Sequence, residues 1–437
     1  MTQPTDNTPN SNNNPIDKAI EEATRRPQQG HSTRAVHGGT TRKKAFSSLT
    51  TPIVASATFT FTDTQDLCDF MDRKIWGDGL DREEYGRYGN PTVWAVEERL
   101  AALDNAEDAA LYSSGMAAVT SLLLTVLRSG QHIVMTNDCY RRTRQFCTGF
   151  LAKFGVETSV VEMGDYEAME AAIIPGKTRF IISETPTNPY LRVADLARIN
   201  AIAKKYKLLT MIDATFATPV NLRPIEYGID FVLHSATKYL GGHNDLLAGV
   251  LVGSKDRLKP IKDVRGVLGN VIDPQPAWLL ERGIKTLGVR VNQQNSTAMT
   301  VAQFLENHPK IDRVYYPGLE SHPDYAIAKQ QMTGFGGVVS FEVSGDLKIT
   351  SDFIDRCRIP YIAPSLGGVE SLIEQPSLVS FYELTTEERL KVGIKDNLVR
   401  FAVGIEDSQD IIADLSQALD GIPERAVSQA WQERFRQ

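Results

Sequence analysis

Two side chains in this sequence are of a type and at a spacing that could do chemistry together. Asp213 follows the apolar run of LLTMIDATF, so an apolar stretch delivers a carboxylate at its end. Lys238 follows the run Phe231–His234 after only Ser235, Ala236 and Thr237. If both runs are strands of one open α/β sheet, the acid and the amine share the crevice at the carboxyl ends, where such sheets hold ligands. The hydroxyls of Ser235 and Thr237 suit a phosphate, and Gly241 and Gly242 permit a close backbone approach. A third stretch, Ser113-Ser114-Gly115-Met116-Ala117-Ala118, opens a helical pattern. Free N–H groups and the helix dipole favour an anion at such a start. Each piece also has a plain reading by itself. Asp213 could make a turn, Lys238 could be a solvated surface group, and the serines could be an ordinary N-cap.

Taken together the three describe one chemistry. Pyridoxal-phosphate catalysis requires an amine to form an imine, an acid to keep a pyridine nitrogen protonated, and donors for a phosphate. Lys238 would carry the cofactor as a Schiff base. An amino-acid substrate would displace it, and the freed amine would be placed to move protons.

Such a site needs a sheet to hold it. Short apolar runs at His132–Thr136, Arg179–Ser183, Leu208–Ile212 and Asp230–His234 are bounded by polar or turn-forming residues, as buried parallel strands are. Between them Val193–Tyr206 has Leu196, Ile199 and Ile202 at helical spacing. This alternation predicts an α/β fold with a mainly parallel sheet over residues 85–290. One long helix is expected from Pro276 to about Glu306, bridging to a smaller α+β domain over 291–437 with a strand at Val338–Val343 and a helix at Gln409–Leu419. Residues 31–84 read as an N-terminal arm that packs elsewhere. Residues 1–30, rich in Asn, Thr, Gln and Pro, read as a disordered tail.

Bulk properties narrow the function classes. The 437 residues are 42% hydrophobic and 23% charged, with a net charge of -7 and no block of like charge. Nucleic acid and anionic membranes are thus not expected as partners. The four cysteines form no CxxC pair, and the seven histidines show no ligand spacing, so no metal is expected. The longest apolar run, around Ala117–Leu127, is too short for a bilayer, and no signal segment is evident. A cytoplasmic enzyme is expected.

Seven stretches, in order, closely resemble the Cys/Met-metabolism family of pyridoxal-phosphate enzymes: EYGRYGNPT (Glu84–Thr92), SSGMAA (Ser113–Ala118), ETPTNP (Glu184–Pro189), IDATFATP (Ile212–Pro219), HSATKYLGGHND (His234–Asp245), SLGGVESLIEQP (Ser365–Pro376) and NLVRFAVGIED (Asn397–Asp407). The resemblance runs from about residue 31 to about 420. It implies an aspartate-aminotransferase-type fold. Lys238 would be the imine lysine, Asp213 the partner of the ring nitrogen and Asn188 a donor to the ring hydroxyl. Tyr140 would stack on the ring and assist proton transfer, with Thr215 beneath it. Ser114, Gly115, Met116, Ser235 and Thr237 would cradle the phosphate. Tyr85 and Arg87 would reach the phosphate of a neighbouring subunit, which implies a homodimer with shared sites and, beyond it, a homotetramer. Ser365 and Arg400 would bind the substrate α-carboxylate, although Arg400 could instead pair with a structural carboxylate.

Within the family the sequence departs from the common pattern. Ala214 follows Asp213 where many relatives have Asn, and Arg141 and Arg142 follow Tyr140 where many have two glycines. The runs NQQNSTA (Asn292–Ala298), YYPGLESHP (Tyr315–Pro323), QMTGFGGVVSF (Gln331–Phe341) and IPYIAPS (Ile359–Ser365) are similar to plant-type cystathionine γ-synthases. Such enzymes join cysteine to an activated homoserine ester. Arg142 would hold the anionic leaving group, or pair with a surface acid instead, and Glu370 would hold the amine of cysteine. A γ-lyase shares all the catalytic groups and is the alternative; a non-catalytic binding protein on the same fold would lack the lysine or its acid, and both are present.

Overall fold

The computed structural model describes residues 29–40, 44–77 and 82–423. The tail expected over 1–30 therefore lies, but for its last two residues, outside the described residues. One sheet contains β1 (Asp108–Tyr112), β2 (His132–Thr136), β3 (Glu157–Val161), β4 (Thr178–Glu184), β5 (Leu209–Asp213), β6 (Phe231–His234) and β7 (Gly249–Gly253), in the order β1-β7-β6-β5-β4-β2-β3. The run β3-β2-β4-β5-β6 is parallel, while β7 runs antiparallel to both β6 and β1. Alternate residues go to opposite faces, as strand geometry demands. Ile181 of β4 and Ile212 of β5 enter one hydrophobic core, whereas Phe180, Ile182 and Met211 enter the other. The sheet is buried on both sides, which is why its strands read as nearly unbroken apolar runs.

Helices cover those faces. They include α1 (Pro91–Asp104), α2 (Gly115–Val126) and α3 (Leu196–Tyr206). The last starts three residues later than the periodicity suggested, because the Asp195 side chain accepts the Arg198 N–H at 3.0 Å and caps the helix there.

The long helix expected from Pro276 to Glu306 is two helices, Pro274–Ile284 and α4 (Leu287–Glu306). Gly283 lies so near the loop after Lys238 that a Cβ there would sit 2.2 Å from the Gly241 carbonyl oxygen. The carbonyl freed by the break accepts from the Arg290 guanidinium at 2.8 Å, which also reaches the Tyr239 carbonyl at 2.8 Å. The break thus clamps the lysine loop, a tertiary demand that helical periodicity cannot express.

A second sheet holds β8 (Ile311–Tyr315), β9 (Val338–Val343), β10 (Tyr361–Ile362), β11 (Leu372–Glu374) and β12 (Leu398–Ala402), in the order β10-β11-β12-β9-β8. Val339, Phe341, Val399 and Phe401 pack on α4 and α5 (Ser408–Asp420). The opposite face carries a polar row: Glu374, Arg400 and Ser340 lie side by side in register. The Ser340 hydroxyl donates to the Pro189 carbonyl at 2.6 Å and joins that face to the loop after β4. Before Tyr85, the helix His31–His37 folds back onto α1 and α4 of its own chain.

Candidate active site

Asp213 and Lys238 meet at the carboxyl ends of β5 and β6. The Asp213 carboxylate accepts from the Thr215 N–H at 3.0 Å and the Thr215 hydroxyl at 2.5 Å, and the Thr215 oxygen accepts from the Ser235 N–H at 2.8 Å. Thr215 therefore ties the acid to the lysine loop. Among the described residues no cationic side chain hydrogen-bonds Asp213, and burial pushes its carboxyl up, with Thr215 and His234 pulling it back. A buried acid held in this way fits a protonated ring nitrogen.

The Lys238 ammonium donates to the Ser365 hydroxyl at 2.7 Å. Burial first, then the Arg400 charge, brings its amine down to about 8, against a smaller opposing pull from Glu374. An amine so adjusted is available as a nucleophile and base near neutral pH. Ser365 has a φ of 103°, a strained value for a non-glycine residue, and its carbonyl accepts from Arg400 at 2.9 Å.

Arg400 is buried between three partners. Its guanidinium donates to the Asn188 side-chain oxygen at 3.0 Å, to Ser365, and to the Glu374 carboxylate at 2.8 Å. The pairing with a carboxylate, open in the sequence, is thus present. Among the described residues the Arg400 Nε and the Glu374 Oε2 are buried without a partner, so the guanidinium retains a free donor for a further anion. Because Asn188 accepts from Arg400 through its oxygen, its amide N–H groups remain to donate elsewhere.

At the other end, the Ser114 hydroxyl accepts the Ala117 N–H at 3.1 Å and caps α2. Gly115 leaves the helix N-terminus against Ser235, where a Cβ would be 3.3 Å from the Ser235 Cβ. Gly115 and Met116 thus begin a helix beside a serine hydroxyl, a cradle for a phosphate. The Thr237 hydroxyl is already engaged with the Ala248 backbone, donating at 3.2 Å and accepting at 3.0 Å. The Tyr140 ring is 46% exposed, while its N–H donates to Glu184 at 2.6 Å.

Two cavities open around these residues. One, of about 760 Å³, is lined by Thr237, Ser365 and Glu370; the Glu370 carboxylate accepts from Asn244 at 2.8 Å. The other, of about 790 Å³, passes Tyr140 and Asn188 and is lined by Arg141, Arg142, Arg144, Arg192, Arg313, Lys391 and Lys395 against Asp138 and Glu162. Among the described residues Arg142 has no carboxylate partner there; it donates to the Gln145 side chain at 2.8 Å. Tyr85 and Arg87 line neither cavity, and Arg87 donates to the Gly266 carbonyl at 2.6 Å.

Sequence reasoning missed three acids. Glu374 stands within the quoted SLGGVESLIEQP run, but only strand register shows it opposite Arg400. Glu184 ends β4 beside Asp213, and burial with the Asp213 and Asp138 charges holds its carboxyl well above the usual range. Burial likewise raises Asp138 to about 6.

This fold, with an amine, a buried acid and an anion cradle at its strand ends, defines a pyridoxal-phosphate enzyme of the aspartate-aminotransferase type. The profile of the family described as Cys/Met metabolism PLP-dependent enzymes matches residues 32–420. The chain belongs to that family. It is 49% identical over 374 residues to cystathionine γ-synthase 1, chloroplastic, of Arabidopsis thaliana, covering 86% of this chain and 66% of that one, so it spans about two thirds of that relative's length. It is 40% identical over 390 residues to cystathionine β-lyase of Lactococcus lactis subsp. cremoris, covering 89% of this chain and 98% of that one. The crystal structure of metB from Corynebacterium glutamicum superposes with a TM-score of 0.82 at 35% identity, covering 90% of this chain and 98% of that chain. No helix among the described residues is long and apolar enough to cross a membrane.

Proposed function

We propose that this chain is a cystathionine γ-synthase, joining L-cysteine to an O-activated L-homoserine ester. The observation that carries this reading is the cation-lined cavity that begins directly after Tyr140, where Arg142 has no carboxylate partner among the described residues. An ester whose leaving group is an anion suits that lining. The stronger likeness to a γ-synthase than to a β-lyase supports the same reading.

When bound, pyridoxal phosphate supplies an electron sink for bonds around the amino-acid α-carbon. Lys238 would hold the cofactor covalently and, once freed, would move protons at its Nζ, for which an amine near 8 is suited. Asp213 would keep the ring nitrogen protonated. Asn188 would donate to the ring hydroxyl, and Ser114, Gly115, Met116 and Ser235 would hold the phosphate, with Thr237 shaping that loop through Ala248. Tyr140 would cover one side of the cofactor and Thr215 would support the other. Arg400, steadied by Glu374, takes the substrate α-carboxylate together with Ser365. Arg142 holds the leaving group and Glu370 the amine of cysteine.

Tyr85 and Arg87 complete the phosphate site of a second subunit in a homodimer, and the assembly is a homotetramer. Their places outside both cavities of their own chain support this. The chain divides into an arm (31–84), a cofactor-binding domain (85–290) and a C-terminal domain (291–437). It acts in the cytoplasm on small amino acids. Steady-state assays with O-phospho-, O-acetyl- and O-succinyl-homoserine, each with and without cysteine, test the assignment. Cystathionine formed faster than 2-oxoacid is the expected result. Faster release of 2-oxoacid and ammonia would make the protein a γ-lyase.

A further inference from the structure

The proposed site for the substrate α-carboxylate has two halves far apart in the chain, the loop at Ser365 and the strand β12 that carries Arg400. Gln294, inside α4, joins them. Its amide nitrogen donates to the Gly368 carbonyl at 2.9 Å and to the Val403 carbonyl at 3.1 Å. Gly368 lies three residues past Ser365, and Val403 lies three past Arg400. One NH2 group therefore ties the two halves together, and Gln294 is 0% exposed. The two carbonyls fix the orientation of the amide, because only its nitrogen can donate.

The loop that Gln294 grips is strained where it meets the lysine. Ser365, at a φ of 103°, accepts from Lys238 through its hydroxyl and from Arg400 through its carbonyl. Such a backbone persists only where its surroundings hold it. Gly367, at a φ of 77°, brings the loop against the residue after Lys238: a Cβ there would lie 2.6 Å from the Tyr239 nitrogen. Among the described residues, the Gln294 bond is the nearest to Ser365 of those that reach the loop beyond it. The Ile405 N–H donates to the Val369 carbonyl at 2.9 Å, and Ser371 donates to Glu406 through its N–H at 2.7 Å and its hydroxyl at 2.8 Å, all further along. Gln294 is an unfavourable residue for packing alone, since its Oε1 is buried without a partner among the described residues. What it contributes is the pair of donors.

We propose that Gln294 is a positioning residue for the substrate: by tying Gly368 to Val403 it holds Ser365 and the Arg400 guanidinium in the arrangement that receives the α-carboxylate. It touches neither substrate nor cofactor and acts through the two backbones. Without its donors the loop is free to relax from the strained Ser365 backbone, and Ser365 then turns away from Lys238 and Arg400. Arg290, one turn earlier on the same face of α4, holds the Tyr239 carbonyl at 2.8 Å. One helix face thus sets the lysine loop and the carboxylate loop together. The inference rests on the reading of Ser365 and Arg400 as the carboxylate site, not on the choice between synthase and lyase.

The test uses the holoenzyme and two amines that displace Lys238 from the cofactor: L-alanine, which has a carboxylate, and ethylamine, which has none. The change in the visible absorption band gives the Kd of each. Gln294→Met keeps the length of the side chain and removes both donors. Its Kd for L-alanine should rise about tenfold, the upper scale for one lost hydrogen bond, while that for ethylamine changes by less than about twofold. Gln294→Glu preserves the shape, and its buried carboxyl, held protonated by desolvation, keeps one donor. It should fall between the native enzyme and Gln294→Met, and it carries the test if the methionine variant does not fold. Arg400→Ala separates the inference from the reading beneath it and should weaken L-alanine at least as much as Gln294→Met. If Arg400→Ala leaves L-alanine binding unchanged, the carboxylate assignment fails and the proposal falls with it. If Arg400→Ala weakens L-alanine while a folded Gln294 variant does not, or weakens both amines equally, Gln294 only supports the fold and the proposal alone is overturned.

Discussion

The sharpest consequence of the site concerns Glu374, which lies opposite Arg400 on the next strand and pairs with it at 2.8 Å. Their side chains are only 3% and 6% exposed, so solvent does little to screen the pair. Glu374→Gln keeps the shape and removes the charge. Arg400 would keep its bonds to Asn188 and Ser365 but lose its only ion pair among the described residues. Breaking a buried pair from one side costs about 3–5 kcal/mol, and the retained hydrogen bonds place this variant near the low end, at about 3 kcal/mol. For a folding unit of roughly 150–250 residues that is a fall in Tm of about 6–12 °C. A substrate carboxylate would supply the missing charge, so a slow-reacting amino acid such as L-alanine should raise the Tm of the variant more than that of the native enzyme. Thermal scans with and without saturating L-alanine measure both effects. A fall of less than about 2 °C, or equal ligand shifts in the two proteins, would mean that Glu374 does not compensate Arg400 and that Arg400 is not the carboxylate site.

Three other outcomes follow from the same geometry. In the apoenzyme, Lys238 should attach added pyridoxal phosphate faster as pH rises through about 8 and level off above it, since burial and Arg400 lower the amine and its neutral form is the nucleophile; a midpoint near the free-lysine value, read from the band's growth rate, would refute this. Arg142→Ala should lower kcat/KM for the phosphate ester by roughly 10- to 100-fold, matching a charge-assisted hydrogen bond of about 1.5–3 kcal/mol, and affect the acetyl ester much less. An equal loss for both esters would make Arg142 structural. Mixing inactive Lys238→Ala with inactive Arg87→Ala should restore some activity through hybrid dimers; no recovery despite demonstrated subunit exchange would count against a shared site.

Much of the candidate site was legible in the sequence because its cues are local. Asp213 and Lys238 sit at or just past short apolar runs, and β2 and β9 occupy the residues expected for them from the sequence. Ser114 caps α2 because its hydroxyl needs only the next turn of chain to bond. Other features depend on residues far apart in the chain. Gln294 and the Gly368 carbonyl it holds are 74 residues apart, and nothing near either suggests the other. Glu374 meets Arg400 only because β11 and β12 pair in one register, and a slip of β11 by one residue would turn Glu374 into the apolar core. The break at Lys285–Thr286 follows a residue, Gly283, whose lack of a side chain lets the Gly241 backbone pass close by, a contact between segments about forty residues apart in the chain. Periodicity and capping act over a few residues and can be read along the chain. Which buried charge meets which is decided by strand register and helix packing, and those exist only once the whole chain has folded.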